Sequence, residues 1–240
     1  MLALKTIGNF NKAVAWAKEV PNQLEFSYSQ GINDTIKEVR IALNKGTVGA
    51  FNKPVSFTQK AFLYKTSTKR NLIAFAYAND QKGKDRARYL RFGTKGGARP
   101  QKGFERYFQG VANDGTIKPG SYFVPGPNVK INASGNVTLA TLKNITKGLT
   151  GQGTKSRSRS KARGGFFIGT PRNNNLPPGI YRRSREQLFP YFIATTNKPD
   201  YTPRFDVQKI GDKIVKRRLL KYQQAKLNYN VEQALISKGF

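Results

Sequence analysis

The chain has 240 residues, of which 43 are Lys or Arg and 13 are Asp or Glu, so its formal net charge is +30. It contains no Cys and no His, which excludes disulfides, thiolate nucleophiles, His-based metal sites and Ser-His-Asp catalysis. Hydrophobic residues make up 38% of the chain, so it can bury a core, and its charge favours anionic partners. Because no stretch approaches roughly 18 consecutive apolar residues, we expect a soluble, unexported protein without a membrane span.

The first part of the sequence predicts two helices. Asn9 to Val20 has helix formers with an apolar face, and Pro21 is expected to end this short helix. From Gln23 to Asn44, apolar residues recur every three or four positions, which is typical of a long amphipathic helix. We expect Gly46 to end it, and Gly31 in its interior to cost about 1 kcal/mol relative to Ala.

A β-hairpin is predicted next. The segments Val55 to Thr66 and Asn71 to Ala78 are rich in β-branched and aromatic residues and flank a short polar connection. In the second segment the large residues Ile73, Phe75 and Tyr77 alternate with smaller ones. We therefore expect the face with the large residues to pack against the long helix.

The middle of the chain is polar, glycine-rich and strongly basic. Loops are expected from Asp80 onward, apart from an ordered island at Arg88 to Thr94. Between Gly115 and Arg185 the sequence has 13 basic residues and not one acid. The densest run, Lys155 to Arg163, has no apolar residue larger than Ala, so by itself it is predicted to be flexible.

Regular structure is predicted again in the last third. Gly165 to Gly169 and Leu188 to Thr195 are apolar runs of strand length, and Pro190 assigns the second run to a sheet edge or a bulge. Asp206 is a plausible N-cap for a helix that runs to about Ser237. The residues of this helix expected to face inward are Val207, Ile210, Ile214, Leu220, Leu227, Val231 and Leu235.

Together these elements predict an α+β fold, in which an antiparallel sheet packs against long N-terminal and C-terminal helices and a long basic, loop-rich insertion interrupts the core. Residues 1–110 are expected to supply the N-terminal helices, the hairpin and the following loop of the core. Residues 111–165 form the insertion, and residues 166–240 supply the strands and helix that complete the same core.

The basic run allows three interpretations. It could neutralise the phosphates of a nucleic-acid backbone, bind an anionic protein surface, or be a solvated loop. No sequence-specific nucleic-acid motif accompanies it, so base recognition is not expected. The candidate contact residues are Lys155, Arg157, Arg159, Lys161 and Arg163.

No catalytic, cofactor or metal site is predicted. The acid pairs Asp80 with Asp85 and Asp206 with Asp212 are too few for a nuclease metal centre, which usually needs three or more carboxylates. The glycine-rich segments after Asp80 lack the spacing of a phosphate-binding loop. We therefore expect a protein that is not an enzyme.

Several short motifs carry a family resemblance. Tyr89-Leu90-Arg91-Phe92-Gly93-Thr94, followed by Ala98-Arg99-Pro100 and Phe104-Glu105-Arg106, resembles the signature of small siphophage tail-joining proteins. The C-terminal part, with Tyr201-Thr202-Pro203-Arg204-Phe205-Asp206 before a long basic helix, is similar to the minor tail protein Z, or tail completion, family of tailed phages. The motif residues are Tyr89, Phe92, Gly93, Thr94, Arg99, Pro100, Phe104, Tyr201, Pro203, Arg204, Phe205 and Asp206.

The resemblance covers Leu24 to Thr94 loosely and Phe166 to Leu235 more closely, and leaves Gly110 to Gly165 outside. It implies a non-enzymatic virion protein of the head-tail junction or upper tail, assembled in the host cytoplasm as a homo-oligomeric ring, a hexamer or a dodecamer. Its implied partners are connector or portal-side proteins, tail-side proteins and the genomic DNA backbone. The motif residues are interpreted as defining the fold. The alternative function is sequence-nonspecific nucleic-acid binding, as in nucleoid-associated or ribosome-associated proteins.

Overall fold

The computed structural model describes residues 10–80, 86–112, 115–150, 164–172, 175–184 and 187–239. The chain forms two compact units: unit 1 comprises Met1–Thr94 and Pro203–Phe240, and unit 2 comprises Lys95–Thr202. Helices and antiparallel sheets occur together with long N-terminal and C-terminal helices, so the predicted α+β class is confirmed. The units are divided after Thr94 and after Thr202, whereas the predicted divisions lie at residues 110 and 165. Each unit has an apolar core of its own.

Unit 1 is built on two long helices, α1 (Phe10–Ala50) and α6 (Val207–Ser237). They run antiparallel, since Glu19 near the start of α1 binds Lys238 just past the end of α6. The expectation that Pro21 separates two helices is wrong, and so is the expectation that Gly46 ends the second, because α1 is continuous through both residues. Its packing along α6 compensates for the backbone hydrogen bond that proline removes.

Gly31 allows the two long helices to approach closely. A Cβ atom at this position would lie 2.8 Å from the Cα atom of Gln223 in α6, which is closer than such atoms can come. Near this crossing, Asn230 of α6 donates hydrogen bonds to the side chains of Ser27 and Gln30, both at 2.9 Å. Gly31 therefore lowers the helix propensity of α1 but allows close packing against α6.

The predicted hairpin is present but shorter than expected. A short helix α2 (Ser56–Gln59) replaces the first half of the predicted first strand, and β1 (Phe62–Lys65) pairs antiparallel with β2 (Phe75–Ala78). The expectation that the large residues of the second strand face the long helix is wrong. Ala76 and Ala78 pack against the core of unit 1, whereas Ile73, Phe75 and Tyr77 are exposed. Small side chains bring the strand close to the helices, and the bulky ones are left on the outer face.

The segment predicted as an ordered island, Arg88 to Thr94, lies in a helix, α3 (Arg86–Lys95). Leu90 of α3 is buried in the core of unit 1 with Val39 and Leu43 of α1, Phe62 of β1 and Phe205. Gly93 lies within α3, where the ring of Phe51 approaches it closely.

Unit 2 contains a four-stranded antiparallel sheet in the order β4-β7-β6-β5. Its strands are β4 (Tyr122–Pro125), β5 (Gly164–Gly169), β6 (Gly179–Ser184) and β7 (Gln187–Thr195). Two short strands, β3 (Gly97–Ala98) and β8 (Asp200–Tyr201), pair separately. The two strands predicted at Gly165 to Gly169 and at Leu188 to Thr195 are present as β5 and β7.

Pro190 lies in a central strand, because β7 is bordered by β4 and β6. Of the two alternatives predicted for Pro190, the sheet edge is therefore wrong and the bulge agrees with the structure. The register between β6 and β7 shifts at Ile180 and Tyr181, where Pro190 is paired with Tyr181 and the next pair skips Tyr191. This irregularity accommodates a residue that has no N–H for the ladder.

Two helices cover the sheet of unit 2, α4 (Gly103–Val111) and α5 (Leu139–Leu149). Their residues Phe108 and Ile145 are fully buried with Phe123 of β4, Ile180 of β6 and Phe192 of β7. The stretch 111–165, expected to be loop-rich and outside the core, thus contributes β4, α5 and core residues. Its apolar positions are separated by glycine and asparagine, which hides their pattern in the sequence.

The start of α6 agrees with the sequence. The Asp206 carboxylate accepts a hydrogen bond of 2.9 Å from the backbone N–H of Lys209, as an N-cap residue does, and the helix ends at Ser237. The prediction that Leu220 faces inward is wrong, since it is 67% exposed. Among the described residues, no helix is long and apolar enough to cross a membrane.

Candidate functional surfaces

The five basic residues Lys155, Arg157, Arg159, Lys161 and Arg163 lie outside the described residues. The motif residues are divided between the two units. Unit 1 contains Tyr89, Phe92, Gly93, Thr94, Pro203, Arg204, Phe205 and Asp206. Unit 2 contains Arg99, Pro100, Phe104 and Tyr201.

In unit 1 the two parts of the motif meet at Gly93. Its carbonyl oxygen accepts hydrogen bonds from the backbone N–H groups of Arg204 and Phe205, at 2.7 and 2.9 Å. A Cβ atom at Gly93 would lie 2.3 Å from the ring of Phe51, so only glycine fits beneath this ring. The FGT segment of α3 therefore positions the turn that leads into α6.

Phe205 is the apolar anchor of this turn, with 3% of its surface exposed. Its ring lies 6.2 Å from that of Phe51 and 5.9 Å from that of Phe62 in β1. A Cβ atom at Gly46 of α1 would lie 2.7 Å from the Phe205 ring, so this glycine serves packing within the helix. Phe205 is therefore buried against the hairpin, immediately before the start of α6.

In unit 2, Arg99 forms a bidentate ion pair with Glu105, whose side chain is fully buried. Both guanidinium-carboxylate hydrogen bonds are 2.7 Å long. The same carboxylate accepts hydrogen bonds from the backbone N–H groups of Lys102, at 2.5 Å, and of Phe123, at 3.4 Å. One side chain thus connects Arg99, the start of α4 and the strand β4.

The electrostatics of this pair favour the charged state of both partners. Burial opposes ionisation of Glu105, but the hydrogen bonds from Arg99, Lys102 and Phe123 outweigh it and hold the pKa of the carboxyl group below its usual value. The hydrogen bonds to Glu105 raise the pKa of Arg99. The pair is a structural element, since its donors and acceptors already satisfy one another.

The other motif residues of unit 2 have different environments. Phe104 packs against the core of unit 2 beside Phe108 and Phe192. Pro100 is exposed, and its carbonyl oxygen accepts a hydrogen bond from Arg99. Tyr201 in β8 is 45% exposed. Of these residues, Arg99 and Phe104 have the clearest contribution to the fold.

The acid-free stretch presents a cationic surface on unit 2. All seven of its described basic side chains are exposed, namely Lys118, Lys130, Lys143, Lys147, Arg172, Arg182 and Arg183. On the sheet, the guanidinium groups of Arg182 and Arg183 lie 6.0 and 5.4 Å from the ring centroids of Phe166 and Phe167. Guanidinium groups supported by aromatic rings suit contacts to phosphates or carboxylates.

In unit 1, acidic side chains are used in contacts between the long helices. Asp34 of α1 pairs with Lys226 of α6 at 3.2 Å, and Glu38 of α1 pairs with Arg218 at 3.2 Å. Glu38 also accepts a hydrogen bond from the hydroxyl group of Tyr222, which raises the pKa of that phenol. The few acids of this unit therefore leave much of its cationic surface uncompensated.

No group of three or more carboxylates that could hold a metal ion occurs among the described residues. Asp206 acts as a helix cap, as expected, and Asp80 is exposed. Sequence reasoning overlooked Glu105 as a buried residue. The signal that could have identified it is its position as the third residue of a short amphipathic helix that follows a single Arg-Pro pair.

Comparisons with protein-family models, curated proteins and solved structures return no match.

Proposed function

We propose that this chain is a structural virion protein of a tailed phage, which acts at the head-tail junction as a tail completion or connector-tail adaptor protein. It assembles as a homo-oligomeric ring through protein-protein contacts and does not catalyse a reaction. Its neighbours are connector or portal-side proteins above and tail-side proteins below.

The observation that carries the proposal is the junction at Gly93. The two motif segments that resemble the family, FGT and TPRFD, are far apart in the sequence, yet they share two backbone hydrogen bonds and enclose one buried ring. If FGT and TPRFD matched the family only by chance, there would be no reason to expect these two segments to contact each other in the fold. This packing supports a common architecture with the tail-joining proteins.

The test is an infection in which this gene product is absent. We expect filled heads and complete tails to accumulate unjoined in electron micrographs, and purified protein added to the lysate to restore infectious particles. The matched control is an infection without a known tail-tube protein, in which heads accumulate without tails. Normal yields of joined, infectious particles in the absence of the chain would overturn the proposal.

The exposed cationic residues of unit 2 favour one further candidate, sequence-nonspecific binding to the nucleic-acid backbone. The variant R157S/R159S/K161S/R163S removes four charges from a run that has no predicted core residue. If the run contacts DNA, the plot of log affinity for random duplex DNA against log salt concentration should be less steep for this variant than for the wild type. The slope should fall by about 0.9 for each phosphate contact removed. If the salt slope is unchanged and heads still fail to join tails, an acidic protein surface is the partner of the run.

A further inference from the structure

The hairpin of unit 1 has an exposed apolar face on its outer side. Three large side chains contribute to this outer face: Ile73 precedes β2, and Phe75 and Tyr77 lie within it. They are 66, 47 and 42% exposed, in that order. The rings of Phe75 and Tyr77 pack against each other, with centroids 5.8 Å apart. Contiguous exposed apolar side chains of this kind mark interaction sites.

One edge of the hairpin is covered by α1, and in the part of the chain that the structure describes no strand pairs with the other. The backbone N–H and C=O groups of Phe62 in β1 point away from β2 and bind the side chain of Asn44 in α1. The N–H group donates to Asn44 Oδ1 at 3.0 Å, and the carbonyl oxygen accepts from Asn44 Nδ2 at 3.3 Å. By the alternation of an antiparallel ladder, Ala76 and Ala78 direct their backbone groups to the opposite side, at the outer edge of β2. Within the described part of the chain, no third strand pairs with β1 or β2.

Exposed basic side chains lie beside this apolar face. The ammonium group of Lys65 on β1 lies 5.9 Å from the centre of the Phe75 ring, and Arg70 is exposed in the connection between the strands. Lys69 in the same connection is directed to α1 instead, with its ammonium group 4.6 Å from the centre of the Phe26 ring. From the end of β1 at residue 65 to the end of β2 at residue 78, the sequence contains no acidic residue. The surface is therefore complementary to a segment that carries both apolar and acidic side chains.

We propose that the outer edge of β2 and the outer face of the hairpin bind an extended acidic segment of a partner protein, which adds a third strand to the hairpin. Backbone hydrogen bonds to Ala76 and Ala78 provide the pairing, apolar side chains contact Phe75 and Tyr77, and carboxylates meet Lys65 and Arg70. The proposal does not depend on a phage origin of the chain.

Charge argues against occupants other than an acidic protein. A second copy of a chain with net charge +30 brings the same sign of charge to this surface. The N-terminal segment of the chain, residues 1–9, has a lysine and no acid. An anionic membrane would match the charge and the apolar face, but it offers no backbone for the edge of β2.

The probe is a synthetic peptide of alternating Glu and Val residues, compared with the same peptide in which Lys replaces Glu. We expect the acidic peptide to bind the full chain and to slow hydrogen exchange at the amides of Ala76 and Ala78 about tenfold or more. Its affinity should fall as salt is raised, because the basic side chains are exposed. The lysine peptide should not bind.

Variants locate the site. F75S/Y77S should weaken binding of the acidic peptide about thirtyfold, since aromatic anchors dominate such contacts. The control Tyr229→Ser removes another exposed aromatic residue of unit 1, on α6, and should leave binding unchanged. K65E/R70E changes only exposed side chains and should reverse the preference, so that the lysine peptide binds and the acidic peptide does not.

Three results would overturn the proposal. One is that the acidic peptide leaves exchange at Ala76 and Ala78 unchanged. Another is that vesicles with an anionic lipid bind through Phe75 and Tyr77 while the peptide does not. The third is self-association of the chain that F75S/Y77S abolishes without any effect of the peptide.

Discussion

The two units are stabilised in different ways. Unit 1 aligns two long helices whose contact includes ion pairs and polar hydrogen bonds, and its apolar core lies where α1, α3, the hairpin and Phe205 meet. Unit 2 encloses an aromatic core between a sheet and two helices, with one buried ion pair beside it. In unit 1, Asp34 and Glu38 form partly exposed ion pairs along the helix contact, whereas in unit 2 Glu105 forms an ion pair at a fully buried position. The energetic consequences of the two placements differ.

The largest expected effects come from the aromatic anchors. Phe108 of unit 2 is fully buried among the rings of Phe104, Phe123 and Phe192, so Phe108→Ala should lower the free energy of unfolding by about 5 kcal/mol. Phe205→Ala in unit 1 should cost about 3 kcal/mol, because fewer rings surround it.

Chemical denaturation combined with hydrogen exchange at the core amides of each unit measures both effects. Phe189→Ala, which removes a half-buried ring from β7, provides a control with a smaller loss. A larger loss for Phe205→Ala than for Phe108→Ala would contradict the contrast between the two cores.

The next effect concerns the two kinds of ion pair. Glu105→Gln leaves the guanidinium of Arg99 without its charged partner at a buried position, so it should cost about 3 kcal/mol at pH 7. Asp34→Asn removes a pair between partly exposed side chains and should cost less than about 1 kcal/mol. Thermal denaturation at pH 7 compares the two variants.

The pH dependence of stability is expected to differ between the wild type and Glu105→Gln. The pKa of Glu105 is lower in the folded protein than in the unfolded chain, so its ion pair stabilises unit 2 fully above the unfolded value of about 4.3. This stabilisation is lost as the pH falls through the lower, folded pKa. Glu105→Gln should therefore reduce the difference in stability between pH 7 and acid pH. An acid transition of the same size in wild type and variant would show that Glu105 does not contribute to it.

Two glycines of the same helix are expected to have effects of opposite sign. Gly31→Ala should destabilise unit 1 by about 1 to 3 kcal/mol, although alanine favours helices, because the new methyl group meets the backbone of Gln223. Gly49→Ala places its methyl group in open space near the end of α1 and should be stabilising by up to about 1 kcal/mol. Urea denaturation midpoints should move in opposite directions. A shift of both midpoints in the same direction would mean that close approach at Gly31 does not govern its identity.

Local signals in the sequence were sufficient for α6, for the periodic part of α1 and for the strands β1, β2, β5 and β7. The start of α6 follows from Asp206, whose carboxylate can reach the third residue beyond it, and the apolar repeat from Gln23 to Asn44 marks the part of α1 that is most strongly periodic. The motif at Tyr201 to Asp206 marks a buried anchor at Phe205. The interpretation of the motif residues as fold-defining agrees with the environments of Gly93, Phe104 and Phe205, while Tyr201 and Pro203 lie exposed.

Other features were decided by residues far apart in the chain. Pro21 ends a helix by local rules, yet α1 continues through it, and contacts with the C-terminal part of the chain lie on both sides of that position, from Glu19 to Lys238 and from Ser27 to Asn230. The sequence shows that the two faces of β2 differ in size, but the inward direction of the small face belongs to the tertiary structure, in which Ala76 and Ala78 pack against the core of unit 1. Glu105 is buried because Arg99, Lys102 and Phe123 meet around its carboxylate. Its place as the third residue of a short amphipathic helix is a local signal, but its contacts with Arg99 and Phe123 are not. Composition and periodicity determine the elements with strong local patterns, such as α6 and the periodic part of α1, since both act through near neighbours. Burial and pairing depend on contacts that exist only once the chain has folded.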